Sequence, residues 1–176
     1  MAKMFRVGFG QVEPNHLSAQ RNGQVYGQLP ADETIEVLEN GQFVKYDYAN
    51  GVCNFTGEGE WMLVLNEVKL YDTFWRESYK DFALQKTNYD KGVMTPRVMK
   101  TMPGDIFTTN CIAVGNTSGK AQVEIGDDTT LIVGATLGIK NGYLALDGVK
   151  TDMVWQIVKV YTMPDGQPAV KVMRIK

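Results

Sequence analysis

The stretch TIEVLENGQFVKYDYANG, residues Thr34–Gly51, decides the fold class. Thr34-Ile35-Glu36-Val37-Leu38 is rich in β-branched and apolar residues and reads as a strand. Glu39-Asn40-Gly41 reads as a turn, Phe43-Val44-Lys45-Tyr46 as a second strand, and Ala49-Asn50-Gly51 as another turn. Asn-Gly is a strong hairpin signal because both residues tolerate positive φ. The dipeptide occurs four times, at Asn22-Gly23, Asn40-Gly41, Asn50-Gly51 and Asn141-Gly142.

The same style continues outward. Val52–Phe55 and Trp61–Leu65 read as strands, and Val93–Thr101 as an extended segment in which Pro96 disfavours a central strand. Pro103-Gly104-Asp105 is a turn before a strand at Ile106–Val114. Ala121–Ile125 and Thr129–Val133 flank the turn Gly126-Asp127-Asp128. Leu137-Gly138-Ile139 and Tyr143–Leu146 flank Asn141-Gly142. Val154–Thr162 and Ala169–Ile175 flank Pro164-Asp165-Gly166 as a final hairpin. Many short strands at regular spacing predict a mainly β fold, a β-barrel or β-sandwich of short antiparallel strands.

Two segments depart from this rhythm. Residues 1–28 are rich in Gly, Gln and Asn and read as an extended N-terminal arm, in which Phe5, Val7, Phe9 and Val12 roughly alternate. Residues 29–176 then form a single β domain with an insertion at about 67–92. Within it, residues 71–84 place Tyr71, Phe74, Trp75, Tyr79 and Phe82 at helical spacing, which predicts an aromatic helix or loop. Such a face either caps the β core or meets a partner, because aromatics bury much area at low entropic cost. Phe5 and Phe9 in the arm and the five aromatics of the insertion are the candidate interface residues.

Composition bounds the function. The chain has 176 residues, which points to one domain with a core of its own. Eighteen Lys and Arg against twenty Asp and Glu give a net charge of −2. That balance argues against general nucleic-acid binding, which rests on phosphate neutralisation. The basic residues Lys150, Lys159, Lys171, Arg174 and Lys176 near the C-terminal end read as a solvated strand face. No secretory signal and no membrane span is expected. Cys53 and Cys111 read as two buried free thiols.

Chemistry-bearing patterns are sparse. A hydrolytic triad needs a histidine held beside a nucleophile. The single histidine, His16, stands alone in the polar arm. Asp127-Asp128 and Asp105 read as turn residues, and no metal or cofactor is expected. Glu58 and Glu60 flank Gly59 and are the one pair that a glycosidase-like reaction would use. Trp61, Trp75 and Trp155 are the rings that a carbohydrate-binding module would present. Asn54-Phe55-Thr56 and Asn116-Thr117-Ser118 match the glycosylation pattern by chance.

Three stretches resemble the capsid decoration (cement, or auxiliary head) proteins of tailed bacteriophages: LPADETIEVLENGQFVKYDYANG at Leu29–Gly51, TPRVMKTMPGDIFTTNCI at Thr95–Ile112 and LIVGATLGIKNGYLAL at Leu131–Leu146. The resemblance implies a non-enzymatic virion protein that binds the outer capsid surface and stabilises the head. It also implies the major capsid protein and neighbouring copies of the chain as partners. No contact with nucleic acid or membrane is then expected, and the protein would sit on the virion after passing through the host cytoplasm. The family has no catalytic residues to carry over. The alternative is a carbohydrate-binding β module of a head fibre or tail.

Overall fold

Among the described residues, short strands and glycine turns build four sheets. The computed structural model describes residues 4–6, 8–17, 24–66, 82–89, 93–113, 124–125 and 131–176, with the side chains of 4, 5, 124 and 125 excepted. One sheet has seven strands, in the order β11 (Ile112–Ala113), β14 (Tyr143–Ala145), β13 (Thr136–Lys140), β15 (Trp155–Thr162), β16 (Pro168–Arg174), β10 (Ile106–Thr109) and β2 (Val12–Glu13). A second has five, in the order β3 (Val25–Tyr26), β9 (Val98–Met99), β7 (Met62–Val64), β5 (Phe43–Asp47) and β6 (Val52–Asn54). Two small sheets pair β1 (Met4–Phe5) with β12 (Glu124–Ile125), and β4 (Val37–Leu38) with β8 (Leu84–Gln85). The pairs are antiparallel except β11 with β14.

Among the described residues the sheets do not close into a barrel, and of the two expected architectures the sandwich describes them. Phe43, Leu63 and Met99 of the five-stranded sheet share one core with Phe107, Leu137, Trp155 and Val172 of the seven-stranded sheet. At its centre Trp155 stands edge-on to Phe107, with ring centroids 4.9 Å apart, and Phe43 lies 5.8 Å from Trp155. Such tilted and edge-to-face pairs add to the energy of burying the rings.

The other face of the five-stranded sheet is buried too. Val44, Tyr46, Met62, Val64 and Val98 pack into a second core with Leu38 and Leu84. The small β4–β8 sheet therefore roofs the five-stranded one. Burial on both faces is why Phe43-Val44 and Met62-Leu63-Val64 are continuous apolar runs rather than alternating ones.

Turn chemistry separates the Asn-Gly sites. At Asn141-Gly142 both residues have positive φ, 50° and 79°, and the turn joins β13 to β14 as a two-residue hairpin. At Asn40-Gly41 and Asn50-Gly51 only the glycine is positive. Asn40-Gly41 makes no hairpin, because β4 pairs with β8 and β5 pairs with β6 and β7. The dipeptide Asn22-Gly23 lies outside the described residues.

Other strands differ from expectation in length. The predicted strand Ile106–Val114 is two, broken at Asn110-Cys111, whose backbone turns to pair with different neighbours. Leu131–Val133 is a bend and turn instead of a strand, closed by the Ala135 N–H on the Ile132 carbonyl. Pro96 precedes a two-residue strand, β9, which is central in its sheet. Residues 1–28 contribute strands to three sheets: β1, then β2 at the edge of the seven-stranded sheet, then β3 at the edge of the five-stranded one. Leu17 between them is buried in the first core.

Candidate functional site

The candidate interface residues fall in different surroundings. Phe5 lies in β1, and Phe9 is half-buried. Tyr71, Phe74, Trp75 and Tyr79 lie outside the described residues. Phe82 is half-buried and packs against the second core, just before β8. The described end of the aromatic segment thus belongs to the roof of the five-stranded sheet.

A buried ionic node fastens the N-terminal segment. Arg6 Nη1 lies 2.7 Å from Glu39 Oε2, with both side chains essentially inaccessible to water. The same carboxylate accepts hydrogen bonds from the Gly10 N–H at 2.6 Å and the Tyr143 hydroxyl at 3.0 Å. Glu39 is held in turn by its own N–H, which donates to Gln42 Oε1 at 2.8 Å. Three separate parts of the chain meet here: the N-terminal segment, the turn before β5 and the first residue of β14. Nothing in composition announced this node. Its only trace in the sequence is a glutamate placed just before Asn40-Gly41.

The node perturbs its neighbours. Burial, then the Cys111, Glu39 and Tyr143 groups, act on the Arg6 guanidinium; burial lowers its pKa and the three neighbours more than offset that. Burial, and then Glu39, push the Cys111 thiol up, while Arg6 opposes them. Burial, then Cys111 and Glu39, push the Tyr143 hydroxyl up as well. Arg6, Cys111 and Tyr143 therefore keep their protons at neutral pH.

A polar strip continues along β2. The Gln11 N–H donates to Asn110 Oδ1 at 2.7 Å, and the Thr109 hydroxyl donates to the Gln11 carbonyl at 2.7 Å. Asn110 Nδ2 donates to Gln167 Oε1, and Gln167 Nε2 donates to Asp165 Oδ2 at 2.6 Å. Three amide side chains of the first residues also bond across the fold: Gln11 Nε2 donates to Asp165 Oδ2 at 3.3 Å, Asn15 Oδ1 accepts from the Thr108 hydroxyl at 2.7 Å, and Gln24 Nε2 donates to the Lys100 carbonyl at 2.9 Å.

The other candidate residues have structural duties or lie on the surface. Trp155 is fully buried, so it presents no ring to a sugar. Trp61 is half-buried beneath Lys45, whose Nζ is 4.9 Å from the ring centroid. Glu60 pairs with Arg174 at 3.0 Å and lies 4.0 Å from Lys100. Arg174 is buried and also donates to the Thr101 hydroxyl and carbonyl. Lys150, Lys159 and Lys176 are exposed, as expected of a solvated surface, whereas Arg174 is not. Both cysteines are free and buried, and burial raises the Cys53 thiol to about 12. His16 is exposed. Among the described residues, no group of three His, Cys, Asp or Glu side chains could hold a metal, and no helix is long and apolar enough to cross a membrane.

Two surface features of the described residues bear on binding. The turn before β13 exposes Ile132 at 54% and Val133 at 63%, and Val160 on neighbouring β15 is 38% exposed. Gly134 N–H donates to the Ile157 carbonyl, which sets that turn against β15. At the tip of the β5–β6 hairpin an open cleft of about 460 Å3 is lined by Tyr46, Asp47, Tyr48, Asn50, Thr56 and Glu58.

No family model matches the chain, and neither a curated protein nor a solved structure matches it.

Proposed function

We propose that the chain is a non-enzymatic structural protein of a tailed-phage virion, binding the outer capsid surface and stabilising the head. Its partners are then the major capsid protein and neighbouring copies of itself. The resemblance of Leu29–Gly51, Thr95–Ile112 and Leu131–Leu146 to decoration proteins supports this reading.

The observation that carries it is the apolar turn at Ile132-Val133, displayed on the two-sheet body and held to β15 by the Gly134 N–H on the Ile157 carbonyl. Exposed apolar groups grouped in this way mark interaction surfaces more often than chance. A protein that clamps a shell needs such a patch on a scaffold that does not yield. The node at Glu39 supplies part of that rigidity by tying the N-terminal segment to β14. Many copies on one shell add avidity without strong single contacts.

Co-sedimentation with heads of the encoding phage tests the reading. The wild-type chain should pellet at a fixed copy number per head. The double variant Ile132→Asp/Val133→Asp should remain folded and stay in the supernatant. Equal pelleting of the variant would remove the patch from the interface.

A further inference from the structure

The cleft at the β5–β6 hairpin has the parts of a saccharide site. Tyr48 is 75% exposed, far more than a tyrosine with only a packing role. Its ring is held upright by Tyr46, edge-on, with centroids 5.7 Å apart and planes at 85°. Tyr46 is itself buried and meets Tyr26 edge-on at 6.2 Å. The exposed ring thus stands at the end of an aromatic ladder anchored in the second core, and its orientation is set before any ligand arrives.

Polar groups line the cleft beside that ring. Asp47 accepts from the Asn50 N–H at 3.1 Å and from Asn50 Nδ2 at 2.7 Å. Those two bonds hold the Asp47 carboxylate below its ordinary range, so it is ionised at neutral pH. Across the cleft, Asn54 Oδ1 accepts from the Thr56 and Gly57 N–H groups and fixes the second loop. The Thr56 hydroxyl and the Glu58 carboxylate add a donor and further acceptors to the lining.

We propose that this cleft binds a neutral hexopyranose, with the C–H face of the sugar on the Tyr48 ring and its hydroxyls on Asp47, Asn50 and Glu58. The two halves of the surface match the two halves of such a ligand, one apolar and flat, the other rich in O–H donors. A volume of about 460 Å3 lies in the range of small-molecule sites and accommodates one or two sugar rings. The carboxylates favour a neutral ligand over an acidic sugar, which they repel. This proposal is independent of capsid binding: it rests on Tyr48 and the hairpin tip alone.

Titration of the full chain with methyl glycosides of glucose, galactose, mannose and N-acetylglucosamine, followed by amide NMR, tests it. At least one glycoside should produce saturable shifts at Asn50, Thr56 and Gly57, with a dissociation constant on the order of 1 mM. Tyr48→Ala should weaken that binding at least about tenfold while the remaining amide spectrum stays unchanged. Methyl glucuronide should bind about tenfold more weakly than the neutral sugar. Absence of saturable shifts with every glycoside would overturn the proposal. So would shifts that survive Tyr48→Ala, or equal binding of the glucuronide.

Discussion

Replacing Glu39 by Gln removes the charge at the centre of the node and leaves its shape. Arg6 then keeps a buried guanidinium that has lost the carboxylate 2.7 Å from it. Breaking a buried ion pair from one side costs about 3–5 kcal/mol, because the remaining charge is uncompensated. The hydrogen bonds from Gly10 and Tyr143 are also weakened, since both now end on a neutral amide oxygen. For a chain of this size about 3–5 kcal/mol corresponds to a fall of ~6–20 °C in Tm. Arg6→Met should cost a similar amount by leaving the carboxylate unpaired. The double variant Arg6→Met/Glu39→Gln should recover most of the loss, because no isolated charge remains buried. Urea denaturation of the four proteins, with m held common, gives the coupling energy directly. A single-variant cost below about 1 kcal/mol, or a double-variant cost equal to the sum of the singles, would refute the node as a coupled lock.

Other expectations follow from the same geometry. Cys53 and Cys111 should resist alkylation at pH 8 in the native protein, and two thiols per chain should react once it is denatured. The folded pKa of Cys53 is raised from 9.0 to about 12, so its contribution is intact below pH 9 and is lost as the pH climbs toward 12. Urea midpoints between pH 8 and 11 should therefore fall; a flat profile would contradict the burial of the thiols. Gly138→Ala should prevent folding or lower Tm sharply, since a Cβ there would run into the backbone of Gly148 and Val149, whereas Ala at Gly104 meets open space and carries only the strain of its positive φ. Equal midpoints for these two variants would contradict the close approach of β13 to residues 148–149. Trp155→Ala should cost about 3–5 kcal/mol in denaturation, because the ring sits between Phe43 and Phe107 at the centre of the first core. A cost near 1 kcal/mol would place that ring outside the core.

How much of this was legible beforehand depends on the residue. The hairpins at Asn141-Gly142 and Pro164-Asp165-Gly166 were plain, because local turn chemistry and flanking β-branched residues agree. Asn40-Gly41 was misleading: its turn geometry is real, but the strands it joins pair elsewhere, and local signals do not contain that choice. Leu131–Val133 looked like a strand by composition, yet Leu131 turns into the first core while Ile132 and Val133 are exposed on a surface turn. The buried state of Trp155 was invisible to a pattern that treats all tryptophans alike. The node was hidden most deeply, because Arg6, Glu39 and Tyr143 are far apart in the chain and ordinary as single residues. Tyr48 was similarly masked, since an alternating Tyr46-Asp47-Tyr48 does not say which ring the second core will cover.

The measurement that tests the central claim most directly is quantitative co-sedimentation of the purified chain with heads of the encoding phage, read as copies bound per head against protein concentration. The capsid-binding account predicts saturation at a fixed copy number that follows the symmetry of the shell, with loss of binding in the Ile132→Asp/Val133→Asp variant. A folded protein that stays wholly in the supernatant at every concentration would contradict it.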